Sequence, residues 1–133
     1  MKIDHKYLKG LLEAFQAAER PYTTIDELKE NGYPYNDDAF TFHMNILYDL
    51  GLIDGTATGR NSIGMERTIS GEIIWIRGRN IRLTAPGHEY IDTLNEPEVW
   101  NTIQESFSES ALQTVMAVAK DLAVRLAKNK LEL

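Results

Sequence analysis

The side chains of this sequence with the most chemical potential are three histidines, one adjacent His-Glu pair and a cluster of arginines. His88-Glu89 is the pair that invites a catalytic or metal reading. A zinc or acid–base centre there would need further ligands or a second carboxylate at fixed spacing. His5 and His43 fall on different predicted helices and keep no ligand spacing with it. His88 is therefore read as structural, capping or packing at a helix start. The chain has no cysteine, which excludes disulfides, thiolate metal sites and thiol nucleophiles. Nor does it contain a phosphate loop, a Gly-x-Ser-x-Gly elbow or a His-Glu-x-x-His helix. The expectation is a non-enzymatic protein with no catalytic residue, no metal and no cofactor.

The arginines carry a second possibility. The formal net charge is −6, but it is unevenly spread. Residues 1–59 hold ten acids against five bases and residues 89–133 hold eight against four, whereas residues 60–88 hold five arginines against two glutamates. One basic block thus sits inside an acidic chain. Reading duplex DNA requires a helix with polar side chains for the major groove and cations for the phosphates. Asn36, Thr41, Asn45 and Tyr48 fall on the outer face of the predicted third helix, and asparagine can read adenine through two hydrogen bonds. That helix also carries Asp37, Asp38 and Asp49 and no Lys or Arg, so its start would repel phosphate. Contact through Arg60, Arg77, Arg79 and Arg82, at phosphates or in the minor groove, is the better mode. The plainer role for these arginines is edge charge that prevents strand-to-strand association.

The elements that must position these residues are legible in the spacing. Tyr7, Leu8, Leu11, Leu12, Phe15 and Ala18 recur at helical intervals and predict a first helix over 4–19, ended by Pro21. Thr24, with Glu27 three residues on, is a capping-box pattern for a short helix over 25–31 that stops at Gly32. Asn36 or Asp37 caps the third helix, whose inner face is Phe40, His43 or Met44, Leu47, Leu50 and Leu52, with Gly51 as its stop. From Leu52 to Leu83 the pattern is β: a strand near Leu52–Ala57, a polar loop from Thr58 to Gly64, and strand-like runs at Thr68-Ile69 and Glu72–Arg77. A turn at Gly78-Arg79-Asn80 then leads to the alternating strand Ile81–Leu83. The length of this region predicts an extended or three-stranded wing. Thr84 is an N-cap, Pro86 suits the first turn, and Gly87 allows the helix start to lie against a neighbour. A short helix opens at Glu98, with Trp100, Ile103 and Phe107 on one side. Ser108 or Ser110 caps the last and longest helix, on which Leu112, Val115, Ala119, Leu122 and Leu126 step by three and four residues. Such a stripe is a helix–helix seam. It could cover the first helix of its own chain, and the expectation is that it pairs two copies into a homodimer.

The stretch Leu83-Thr84-Ala85-Pro86-Gly87-His88-Glu89-Tyr90-Ile91-Asp92, followed by Val99-Trp100-Asn101-Thr102-Ile103, resembles the signature of the family called domain of unknown function 2513. The third-helix ending Leu50-Gly51-Leu52-Ile53 fits the same resemblance. Its members are small bacterial and phage proteins, often in prophage or mobile-element settings. The resemblance implies a winged-helix fold with an added C-terminal helix and no established activity. The expected architecture is α+β, a winged helix-turn-helix domain over residues 1–95 with an extended wing, and a C-terminal helical extension over 96–133 packed on the same core or forming a dimer seam. The expected function is DNA binding as a small bacterial or phage transcriptional regulator, with double-stranded DNA as partner. The competing expectation is an adaptor or inhibitor that binds a host protein, for which an aromatic set of Tyr33, Tyr35, Tyr48 and Trp75 would serve. An apolar fraction of 43% is enough for a packed core. No apolar run approaches the roughly 20 residues that span a bilayer, and Met1–His5 lacks the apolar segment of a signal peptide. A cytoplasmic protein without membrane partners is the expectation.

Overall fold

The computed structural model describes residues 1–56 and 60–132. It is mixed α and β, with six α-helices and two small antiparallel sheets among the described residues. Helix α1 spans His5–Gln16, and Asp4 caps it by accepting from the Lys6 and Tyr7 N–H groups at 3.0 and 3.1 Å. Leu8, Leu11, Leu12 and Phe15 are buried along one face of α1, as their spacing requires. Helix α2, Ile25–Glu30, begins at the Thr24 cap, whose hydroxyl accepts from Glu27 N–H at 3.3 Å. The second arm of the capping box goes elsewhere: the Glu27 carboxylate accepts from the Thr23 hydroxyl at 2.7 Å. Helix α3, Asp38–Asp49, buries Phe40, His43, Met44 and Leu47 and ends at Gly51, whose φ of +71° is the left-handed value glycine takes readily.

Strand β1, Ile53–Gly55, pairs antiparallel with β4, Ile81–Leu83, with Ile53 opposite Leu83 and Gly55 opposite Ile81. Thr23 joins the other edge of β4 through reciprocal backbone bonds to Ile81 of 2.7 and 2.8 Å. The segment before α2 is thereby stitched to the strand that precedes α4. Strand β2, Met65–Arg67, and β3, Ile73–Trp75, form a separate hairpin. The extended or three-stranded wing expected from the sequence takes the form of two two-stranded sheets. Thr68-Ile69, expected as strand, is the hairpin turn instead: the Thr68 hydroxyl accepts from Glu72 N–H at 3.1 Å, and Gly71 supplies a φ of +89°. Of the loop expected over Thr58–Gly64, Thr58 and Gly59 lie outside the described residues, as does Ala57 at the end of the expected first strand. Arg60–Ile63 is a short 3-10 turn, with Ser62 and Ile63 fully buried rather than solvated.

Helix α4, Ala85–Leu94, starts against the α3–β1 junction. Thr84 donates its N–H to the Leu52 carbonyl at 3.0 Å and its hydroxyl to the Gly51 carbonyl, while accepting from Gly87 N–H at 3.2 Å. A methyl added at Gly87 would lie 2.1 Å from the Leu52 carbonyl oxygen. Helix α5, Pro97–Ser106, and helix α6, Leu112–Leu131, close the chain. Ala111 stands at the α6 cap position rather than Ser108 or Ser110, and its side chain makes no capping bond. Helix α6 packs on α4 and α5, and α4 in turn packs on α1. Leu112, Val115 and Ala119 are 2% or less exposed within one chain. Those three residues of the expected dimer seam are thus covered by their own chain. Leu122 and Leu126, further along α6, are half-buried against the same core.

The Gly87 contact predicts its own test. Gly87→Ala should cost at least about 2 kcal/mol, because backbone atoms rather than a mobile side chain must move to admit the methyl. Thermal unfolding monitored by circular dichroism checks this, and an unchanged midpoint would mean that the α4 start is loosely held.

Candidate interaction surface on the third helix and hairpins

The β2–β3 hairpin leans on α3. The Trp75 indole N–H donates to the Thr41 hydroxyl at 2.9 Å, and the Trp75 ring meets Phe40 edge-on at 5.1 Å between centroids. Alternation along β3 sets this up: Ile73 and Trp75 share a face, opposite Arg67 and Met65 on β2. Met65 is buried and Ile73 is 38% exposed, so the hairpin is anchored at its base and open toward its tip. Asn45 lines a shallow depression with Met65, Glu66, Arg67 and Ile73. Tyr48 is half-buried against the core, and Asn36 is exposed in the turn before the helix. Of the four polar residues expected on the outer face of α3, Thr41 thus holds the hairpin and Asn45 flanks it. The remaining outward positions include Asp38 and Asp49, both exposed, and the half-buried Phe42.

The arginines do not form one patch of unpartnered charge. Arg77 donates from Nε to Asp26 of α2 at 3.2 Å, which raises its pKa above the ordinary value. Arg82 donates to the Leu83 carbonyl at 3.2 Å and lies 4.0 Å from the Asp54 carboxylate on the neighbouring strand. Arg79 is half-buried, and its aliphatic stem passes over Gly64. The backbone of Arg60 opens the 3-10 turn, and its side chain lies outside the described residues. Arg67 is exposed on β2 beside the Asn45 depression and was not singled out from the sequence. Trp75 was named from the sequence in the aromatic set that would serve a partner, and it is half-buried against α3. Its role as the hairpin clamp shows only once Thr41 is found opposite, because a strand pattern does not say which helix it will face.

A family model described as "Hypothetical protein (DUF2513)" matches residues 2–113. The chain belongs to that family. Comparison with curated proteins finds no match, and comparison with solved structures finds none either. The part of this DUF2513 chain matched by the family model runs from the residues before α1 to the first turn of α6, and it contains the whole Leu83–Ile103 stretch. Among the described residues no helix is long and apolar enough to cross a membrane.

The histidines are placed separately. His88 is exposed in the first turn of α4, where Thr84 makes the cap bond. His5 is buried and donates from Nε2 to the Ser110 carbonyl at 2.8 Å, tying α1 to the start of α6. His43 is 2% exposed and stacks on Tyr7 at 4.6 Å. Its Nδ1–H donates to the Ala39 carbonyl at 2.7 Å, and its Nε2 accepts from Asp4 N–H at 3.0 Å. The second bond requires a bare Nε2, so the geometry calls for the neutral ring. Burial lowers the pKa of His43 from 6.5, against smaller upward pulls from the Ala39 carbonyl and Asp4 and a further downward push from His5. Burial likewise pushes the Tyr7 phenol up to about 12, with Asp37 and Tyr33 adding to it. Among the described residues no group of three His, Cys, Asp or Glu side chains could hold a metal ion.

Two expected outcomes follow from these contacts. Trp75→Ala should cost about 1–3 kcal/mol through lost packing and the lost indole bond. It should also raise amide exchange in β2 and β3 while leaving α1 and α4 protected; uniform exchange across the chain would show that the hairpin is not a separate unit. His43 is held neutral, so its contribution to stability is complete above pH 6.5 and declines as pH falls below that value. The melting temperature of the protein should therefore drop as pH falls below 6.5, and His43→Gln should flatten that dependence relative to the parent. Equal slopes in the two proteins would mean that another group controls acid stability.

Proposed function

We propose that this chain is a winged-helix binding module, and that its partner is a protein with a basic surface rather than duplex DNA. The order α1, Thr23 bridge, α2, α3, β1, β4, with α3 following α2 across a short turn, supports the winged-helix reading. The observation that carries the choice of partner is the hairpin clamp. Trp75 occupies Thr41 on the helix that would enter the major groove, and that helix opens with the exposed Asp38 and contains no Lys or Arg. Phosphates at one negative charge per about 1.7 Å of duplex would meet like charge there. An acidic helix face with the half-buried ring of Phe42 suits a basic protein surface, where opposite potentials speed encounter and aromatic side chains anchor the centre.

A second reading, DNA contact through the strands, is favoured by the exposed side chains of Arg67, Arg77 and Arg82. Fluorescence anisotropy of random-sequence duplex DNA at low and moderate salt separates the two. No binding is expected at either salt concentration. Replacing Asp37, Asp38 and Asp49 together by lysine should create salt-sensitive binding, because the repelling charge is reversed. Salt-steep micromolar binding by the parent, abolished by Arg77→Ala, Arg79→Ala and Arg82→Ala together, would put DNA in place of a protein partner.

A further inference from the structure

We propose that the groove between α4 and α6 seats a second copy of this chain, making a two-fold dimer on a face different from the buried α6 stripe. The groove measures about 770 Å³. Its α6 wall includes Met116, Ala123, Val124 and Ala127, positions that share a helical stripe adjacent to the one sealed by Leu112, Val115 and Ala119. The apolar arc of α6 is thus wider than its own chain covers. Val124 is left 45% exposed and Leu131, farther along the helix, 87% exposed. The alanines leave room for another helix to approach closely.

Charge identifies the occupant. The α4 wall carries Glu89 and Asp92, and the α6 wall carries Lys120. Asp92 accepts from Gln16 Nε2 at 3.0 Å, whereas Glu89 and Lys120 have no ion-pair partner among the described residues. In a two-fold interface each contact between two different residues occurs twice, so an acidic wall faces a basic wall on both sides of the axis. One acidic wall and one basic wall flanking an apolar floor is the self-complementary pattern that this symmetry requires. This assembly is independent of the partner assigned to α3.

Sedimentation velocity on the full chain tests the proposal. The parent should sediment as a dimer, at twice the 15.1 kDa chain mass. Val124→Asp, at an exposed position, should give a monomer with an unchanged circular dichroism spectrum and melting profile. Lys120→Glu and Glu89→Lys should each weaken the dimer on the order of tenfold, since each turns two symmetric attractions into repulsions. The combined charge swap should restore it. A parent protein that stays monomeric up to about 100 µM, a Val124→Asp variant that remains dimeric, or a double swap that fails to regain the dimer would each overturn the proposal.

Discussion

The junction of Thr84 and Gly87 with the carbonyls of Gly51 and Leu52 is the constraint on which the rest of the structure depends. Two carbonyls left over at the end of α3 are satisfied by the N–H and hydroxyl of the residue that caps α4. The same contact pins β4 beside β1, because Leu83 and Ile53 are register partners one residue away on each strand. It also fixes where α4 starts, and α4 is the helix against which α1, α5 and α6 all pack. A close approach of this kind needs hydrogen wherever a side chain would otherwise stand, and Gly87 supplies it.

With that frame fixed, charge is distributed by pairing rather than by concentration. In the sequence, five arginines within 60–88 look like one basic block. Folding sends Arg77 to Asp26 on α2 and sets Arg82 beside Asp54 across the β1–β4 ladder. These are exposed pairs, which add little to stability, but they lower the positive potential that a polyanion would meet. The acidic outward side of α3 adds to the same effect. The charge a partner would meet is set by this placement and not by net charge alone.

The helices were the most legible part of the sequence. α2 and α4 begin at the expected caps, because Thr24 and Thr84 each precede an apolar stripe that can only face inward. The region between Gly55 and Ile81 was read less well. Its apolar residues come in short runs, and a run such as Ile73-Ile74-Trp75 states that a strand exists without stating its partner. Pairing was decided by Thr68 and Gly71, which close a tight turn and leave β2 and β3 to each other. The stripe on α6 was read as a helix–helix seam, and Leu112, Val115 and Ala119 are buried within one chain, but spacing of three and four residues looks the same whether the facing helix belongs to the same chain or to another.

The sequence by itself determined the local features: where most helices start and stop, which faces are apolar, the absence of thiol chemistry, and membership of the DUF2513 family. These depend on neighbours within a few positions, where hydrogen-bond geometry and side-chain period act directly. Tertiary structure alone decided what faces what: Trp75 against Thr41, Arg77 against Asp26, His43 against the Asp4 amide, and α6 against α4 and α5. These contacts join residues far apart in the chain. They are selected by how completely the whole set of apolar faces can be buried together, a condition that no single stretch of sequence contains.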